Sequence, residues 1–157
     1  MSQLKVDSLV PRSGLLSGAS GGIIQMKTTV KTNKFETSST SFTDVTGLNV
    51  SITPQTSSNR ILFISAVNFG TGGADQHNKY RVLRGSTVIT TTDQSIRFNE
   101  TNSVYSFTTI LLDSPSTTSS TTYKIQVKAE SNEVFVNRNG SNNDYGESSI
   151  IVMEVGM

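Results

Sequence analysis

Apolar residues in this chain recur at every second position or in short runs, and polar turn residues separate these segments. The alternation is clearest at residues 123–129, where tyrosine, isoleucine, valine and alanine take the odd positions. A period of two puts successive side chains on opposite faces of a strand, whereas a helix needs a period near 3.6. Because the helical period is not found in the sequence, the pattern predicts an all-β chain.

The same pattern defines ten candidate strands, bounded by turn residues such as Pro54 and Gly85. Many short strands with turn signals between them are typical of an antiparallel β-sandwich, here of jelly-roll-like or related Greek-key type. The candidate strands are residues 23–30, 41–45, 48–53, 60–69, 79–83, 87–91, 103–112, 122–129, 133–137 and 148–155.

Two segments, residues 61–67 and 150–155, are almost continuously hydrophobic. A strand of this kind is expected to have both faces covered, either between sheets or at a subunit interface. We therefore predict that Leu62, near the start of the first segment, lies at a subunit interface.

Residues 1–22 differ from the rest of the chain, because a few apolar residues give way to proline and repeated glycine. Such a segment cannot bury enough apolar surface to offset its ordering entropy, and it frays unless a partner holds it. We predict an extended N-terminal anchoring arm at residues 1–22 and a β-sandwich domain at residues 23–157. The arm would dock by strand addition or in a groove. Its expected apolar anchors are Leu4, Val6, Leu9 and Val10.

Composition argues against several partners. Charged residues make up 16% of the chain, and 13 basic against 12 acidic residues leave a net charge of +1, so no strong field favours nucleic acid or an anionic membrane. The longest apolar runs are far shorter than a membrane span, and the first residues lack the apolar core of a secretory signal. The chain has no cysteine, which removes disulfides and thiolate sites. We expect no nucleic-acid partner and no membrane insertion.

Catalytic groups are also sparse. The single histidine, His77, lies in a glycine-rich segment that resembles no nucleophile motif. Asp93 with Glu100, and Glu130 with Glu133, are the close carboxylate pairs, and their spacing fits solvated surface charge. The sequence predicts no catalytic residue and no cofactor.

The segment 137–146 is rich in asparagine and glycine and could supply oxygen ligands to calcium. It holds one carboxylate and lacks the bidentate glutamate of a calcium loop, so we predict no metal site. Together with segment 70–78 it is instead the candidate recognition surface, because adaptable polar residues suit such contacts. The candidate recognition residues are His77, Asn78, Asn139, Asn142, Asn143, Asp144 and Tyr145.

Six segments of the sequence carry a family resemblance: residues 2–11, 21–25, 38–48, 51–54, 84–87 and 151–155. They resemble small virion structural proteins, some described as tail-fibre-like, of marine tailed bacteriophages, especially phages of cyanobacteria. The resemblance implies a non-enzymatic homotrimer in the virion. It would be docked through its N-terminal arm to other phage proteins of the tail, the portal region or the capsid, with outward loops contacting a host glycan or protein.

Three alternatives remain open at this stage. The protein could decorate a capsid, because it is small and encodes no fibrous shaft. From a different class, it could be a free carbohydrate-binding β-sandwich module. A polysaccharide hydrolase would require a role for Asp93 or Glu100, for which the sequence gives no further support.

Overall fold

A computed structural model of the protein describes residues 22–90 and 93–157, which form eleven strands and no helix within those ranges. Accordingly, no helix with the length and hydrophobicity of a membrane span occurs in the part of the chain that is described. The strands are β1 Ile23–Lys31, β2 Phe35–Thr37, β3 Thr43–Ile52, β4 Arg60–Thr71, β5 Gln76–Arg84, β6 Thr87–Val88, β7 Gln94–Phe98, β8 Val104–Asp113, β9 Thr121–Lys128, β10 Val134–Val136 and β11 Ser148–Val155.

The strands form two antiparallel sheets. Sheet A has the order β1-β11-β4-β10-β2, with β8 on the other edge of β4, and sheet B has the order β3-β9-β5-β6, with β7 also on β5. The pairs β1–β11, β2–β10, β3–β9, β4–β8 and β5–β7 are nested within one another, as if one long hairpin had been folded over itself. This nesting is the jelly-roll arrangement, and it confirms the predicted all-β sandwich.

The hydrophobic core lies between the two sheets, because alternate side chains of each strand point inward. Phe63 and Phe69 from β4 meet Tyr123 and Tyr80 from sheet B, with ring centroids 6.1 Å apart for Phe63–Tyr123 and 5.0 Å apart for Phe69–Tyr80. All four side chains are buried. Inward alternation therefore accounts for the core-facing sides of β3, β4, β5, β9 and β11, and it does not account for the apolar residues on the outward sides of β4 and β11.

The structure corrects three details of the sequence prediction. Segments 41–45 and 48–53 form one strand, β3, whose register shifts between Asp44 and Asn49, and Gly47 adopts a positive φ of 81° there. Glycine tolerates this backbone conformation, so the apparent turn is a bulge. The short strands β2, Phe35–Thr37, and β7, Gln94–Phe98, were not predicted. The predicted loop at 70–78 is mostly strand, with residues 72–75 connecting β4 to β5.

The connections fall at two ends of the sandwich. At the end that we call the base, the Gly156 N–H donates to the carbonyl of Gly22 (2.9 Å), and Met157 N lies 3.4 Å from Asn59 Oδ1. At the opposite end, the tip, the Gly140 N–H donates to the Thr71 carbonyl (3.3 Å). Residues 1–21, including the predicted anchors, lie outside the described residues, but the chain enters the sandwich at the base.

We expect Gly70→Ala to destabilise the fold by at least about 2 kcal/mol, because overpacked positions cost about that much. A Cβ at Gly70 would lie 2.0 Å from the backbone oxygen of Arg138, so β4 would have to separate from the segment that follows β10. Gly72→Ala is the matched control, since its Cβ would meet neighbours at an ordinary 3.5 Å. Urea unfolding measures both variants, and equal stability of the two would contradict this explanation.

Candidate functional site

The outward face of sheet A is apolar across four strands. Leu62 and Ile64 of β4 point away from the core, as do Ile151 and Met153 of β11, and the paired positions of β1 and β8 extend the same surface. Strand register places these residues in rows. One row is Met26, Met153, Leu62 and Leu112, and the next is Thr28, Ile151, Ile64 and Ile110. A third row is Val30, Ser149, Ala66 and Thr108.

These three rows, which we call the outer apolar face, contain no charged side chain. Ile110 is 64% exposed, Met26 56% and Leu112 54%, whereas Leu62 lies half-buried between Met153 and Leu112. With strands about 4.8 Å apart and rows about 7 Å apart, the face covers roughly 400 Å². Nine of its twelve positions are apolar, and the other three, Thr28, Ser149 and Thr108, are uncharged. The largest apolar patch on a soluble protein is often an interaction surface.

The sequence predicted that both faces of the hydrophobic segments 61–67 and 150–155 are covered, and the structure shows a cover for one face of each. Their inward faces are covered by sheet B, but their outward faces are covered by no other described part of the chain. Burial between two sheets therefore does not explain Leu62, Ile64, Ile151 and Met153, which are half-exposed in the single chain. The placement of Leu62 at a subunit interface stays a prediction.

A buried carboxylate fixes the base edge of this face. Glu154 is fully buried and its Oε1 accepts hydrogen bonds from Gln55 N and Asn59 Nδ2, each at 2.7 Å, while its Oε2 accepts from Gln25 Nε2 at 2.6 Å. Burial alone would raise the pKa of Glu154, but the hydrogen bonds outweigh it and hold the pKa below its usual value. Gln25 also donates to the Thr53 carbonyl (2.6 Å), so this cluster ties β1 to the β3–β4 loop.

The tip loops are ordered by asparagine side chains that sequence reasoning assigned to recognition. Asn139 is buried, and its Oδ1 accepts the N–H of Asn143 (3.1 Å). Asn78 is also buried, on β5, where its Oδ1 accepts the N–H of Glu130 (3.2 Å). The expectation that Asn78 and Asn139 face outward is therefore wrong, because the backbone around them needs internal hydrogen-bond partners.

The remaining candidate recognition residues are accessible but lie in two places. Asn142, Asn143, Asp144 and Tyr145 are exposed in the β10–β11 loop, where Lys34 Nζ lies 3.0 Å from Asp144 Oδ1. His77, in contrast, points outward from sheet B, with its Nε2 3.8 Å from Asp75 Oδ1. The structure therefore does not unite the candidate residues into one surface.

Within residues 22–90 and 93–157, no group of three histidine, aspartate or glutamate side chains could hold a metal ion. Asp113, the best-connected carboxylate at the base after Glu154, accepts hydrogen bonds from Arg84 Nη1 (2.8 Å) and from the hydroxyl of Tyr123 (2.7 Å). Burial and the adjacent Asp113 raise the pKa of Tyr123. The hydrogen bonds of Asp113 join β8 to β5 and β9 of sheet B, so stabilisation of the sandwich is sufficient to explain this cluster.

Sequence reasoning missed the exposed members of the outer apolar face. The signal lay in Ile110, Leu111 and Leu112, three consecutive apolar residues that must cover both faces of β8. It also missed Glu154, because a lone carboxylate within a hydrophobic run has no motif of its own.

No protein-family model matches the chain, and no curated protein matches its sequence. Among solved structures, a chain of infectious bursal disease virus, Gt strain, aligns with 98% of this chain and 43% of its own length, at 12% identity and a TM-score of 0.52. Particles of T=1 type derived from the same virus give 12% identity, coverage of 98% and 41%, and a TM-score of 0.47. A Bacillus endospore appendage gives 14% identity, coverage of 91% and 98%, and a TM-score of 0.35.

This chain spans less than half the length of the viral chains that it matches. At 12% identity, the likeness to the Gt-strain chain shows a shared fold.

Proposed function

We propose that the protein is a non-enzymatic structural component of a bacteriophage particle, a homotrimer that associates through the outer apolar face. Residues 1–22 anchor it to other particle proteins, with Leu4, Val6, Leu9 and Val10 as the apolar contacts. The tip then points away from the particle, as in a fibre- or spike-like appendage. The observation that carries the proposal is the charge-free apolar surface across β1, β11, β4 and β8.

A second copy of the same chain is the occupant that suits this face. The face has no charge that a like face would bury unpaired, so two copies can approach without the cost of desolvating ions. About 400 Å² is half of what one partner contributes to a standard interface, so a simple pair would be weak. In a closed ring of three, each chain has two neighbours, and the faces meet around one axis together with the edges of β1 and β8.

The polarity of the sandwich supports anchoring through residues 1–22. The chain enters at the base, beside Asn59 and Met157, whereas the exposed Asn142–Tyr145 segment belongs to the tip. Strand β4 alone, with twelve residues, separates the two ends by about 40 Å. A particle bound to residues 1–22 would therefore leave the tip free, where Asn142, Asn143, Asp144 and Tyr145 are available to a host glycan or protein.

The virion assignment draws on two independent supports. The sequence phrases at residues 2–11 and 38–48 resemble virion proteins of marine tailed phages. The jelly-roll topology resembles a chain of a virus particle, although a jelly roll also serves other functions.

Particle incorporation of the full chain and of a chain lacking residues 1–21 tests the proposal. We expect the full chain to co-purify with particles and the shortened chain to remain free, because it lacks the anchor. The shortened chain should still fold and form a trimer, because Gly22 keeps its hydrogen bond with Gly156 and the outer apolar face is unchanged. Equal incorporation of both chains would overturn the anchoring role. Absence of the full chain from particles would overturn the virion role. A copy number in the hundreds per particle would contradict the role as an appendage and favour a role as a capsid decoration.

A further inference from the structure

The outward face of sheet B carries cations that are not neutralised by the described residues. Lys79 on β5 is directly opposite Lys128 on β9, and Arg81 follows Lys79 on the same face. Like charges at opposed positions of neighbouring strands repel one another. No carboxylate of residues 22–90 or 93–157 lies within 4.0 Å of these three charged groups.

Neighbouring cations on the same face are paired, so the lack of pairing is local. Lys124 Nζ lies 2.7 Å from Asp44 Oδ2, and Arg97 Nη2 lies 3.1 Å from Asp75 Oδ1. The surface therefore has carboxylates to its two sides, but none between Lys79 and Lys128. A partner that supplies negative charge would relieve the repulsion at that point.

An aromatic ring and an amide position two of the cations. Arg81 Cζ is 3.9 Å and Lys128 Nζ is 4.9 Å from the ring centroid of Phe42. Arg81 also donates from Nε (2.9 Å) and Nη2 (2.8 Å) to Gln126 Oε1. Cations held in this way lose less side-chain entropy when an anion binds.

A cleft of about 220 Å³ opens beside Lys79 and Lys128. Its acidic wall residue, Glu130, is engaged through Oε2 with the backbone N–H of His77 (2.9 Å). Two lysines against one carboxylate leave the cleft positive. Its lining is Thr40, His77, Lys79, Lys128, Ala129 and Glu130.

We propose that this cleft binds a sulfate, carboxylate or phosphate group of an acidic polysaccharide. The volume accommodates one charged group with part of its sugar, and the adjacent Arg81 can contact the next charge along the chain. A single-stranded nucleic acid is a poorer fit, because its bases stack on open aromatic rings, and Arg81 and Lys128 both lie on the ring of Phe42.

The cleft lies on the sheet opposite the outer apolar face. It therefore stays open in a trimer built through sheet A, and glycan binding does not depend on the oligomeric state. Failure of this inference would leave the proposed assembly intact.

Binding of the full-length chain to dextran sulfate, with neutral dextran as reference, tests the inference. We expect saturable binding to dextran sulfate that weakens with added salt, and none to neutral dextran. The double variant Lys79→Gln/Lys128→Gln should bind about tenfold more weakly, because two exposed ion pairs are lost. The control Lys124→Gln changes a lysine of the same face that is already paired, and it should bind as the unmodified chain does.

Circular dichroism and the oligomeric mass establish that each variant is folded. An equal loss in the control variant, or no binding to dextran sulfate, would overturn the site. Inorganic sulfate that competes as strongly per charge as dextran sulfate would reduce the site to a free-anion site and overturn the polysaccharide assignment. Tighter binding of a single-stranded oligonucleotide would overturn it in favour of nucleic acid.

Discussion

If the protein is the trimer that we propose, Ile110→Glu is expected to convert it into folded monomers. Ile110 is 64% exposed in the single chain, so the fold does not depend on it, but it stands in the second row of the outer apolar face beside Ile64. A glutamate there would be buried without a partner when chains associate, which costs several kcal/mol per chain. Sedimentation of the variant at the concentration at which the unmodified chain is trimeric measures the effect.

Val88→Glu is the matched control for this change. Val88 is also an exposed hydrophobic residue, but it lies on β6 of sheet B, away from the outer apolar face. We expect this variant to remain trimeric. If Ile110→Glu also remained trimeric, or if both variants dissociated, association through the outer apolar face would be wrong.

Glu154→Gln is expected to destabilise the chain by about 2–3 kcal/mol, the cost of leaving a buried donor without its acceptor. Three donors, from Gln25, Gln55 and Asn59, converge on the two oxygens of Glu154. A glutamine keeps one oxygen and directs an NH₂ group at a donor. Urea unfolding of this variant in the monomeric Ile110→Glu background gives its free energy without a contribution from association.

Glu147→Gln, at an exposed carboxylate, is the control and should unfold as the parent does. Acid adds a second test. The pKa of Glu154 is below its usual value in the fold, so its contribution is complete above the ordinary glutamate range and declines as the pH falls through the lowered value. The parent should therefore lose more stability than Glu154→Gln between pH 6 and pH 3. Parallel pH profiles would contradict the role of Glu154.

The sequence predicted the sandwich well because its inward positions alternate with polar ones. Residues 123–129 show this alternation, and Tyr123, Ile125 and Val127 are buried as the period of two requires. The bulge at Gly47 was interpreted as a turn because glycine favours both, and strand pairing alone separates the two cases. Strand β2 has three residues, too few for a period to be visible.

The candidate site was predictable in outline and not in detail. The continuous hydrophobic runs indicated that both faces of β4 and β11 are apolar, which led to Leu62. Met26 and Leu112 belong to the outer apolar face only because β1 pairs with β11 and β8 pairs with β4. Local sequence patterns do not show which strands are neighbours. In the same way, asparagine is typical of exposed loops, yet Asn78 and Asn139 are buried and hydrogen-bonded to distant backbone groups, Asn78 to Glu130 and Asn139 to Asn102.

The native mass of the full-length chain tests the central claim most directly. Association through the outer apolar face of sheet A predicts one species at three times the 16.9 kDa chain mass, retained on dilution to low micromolar concentration. A monomer at the same concentration, with Ile110 and Leu112 open to solvent, would contradict the claim.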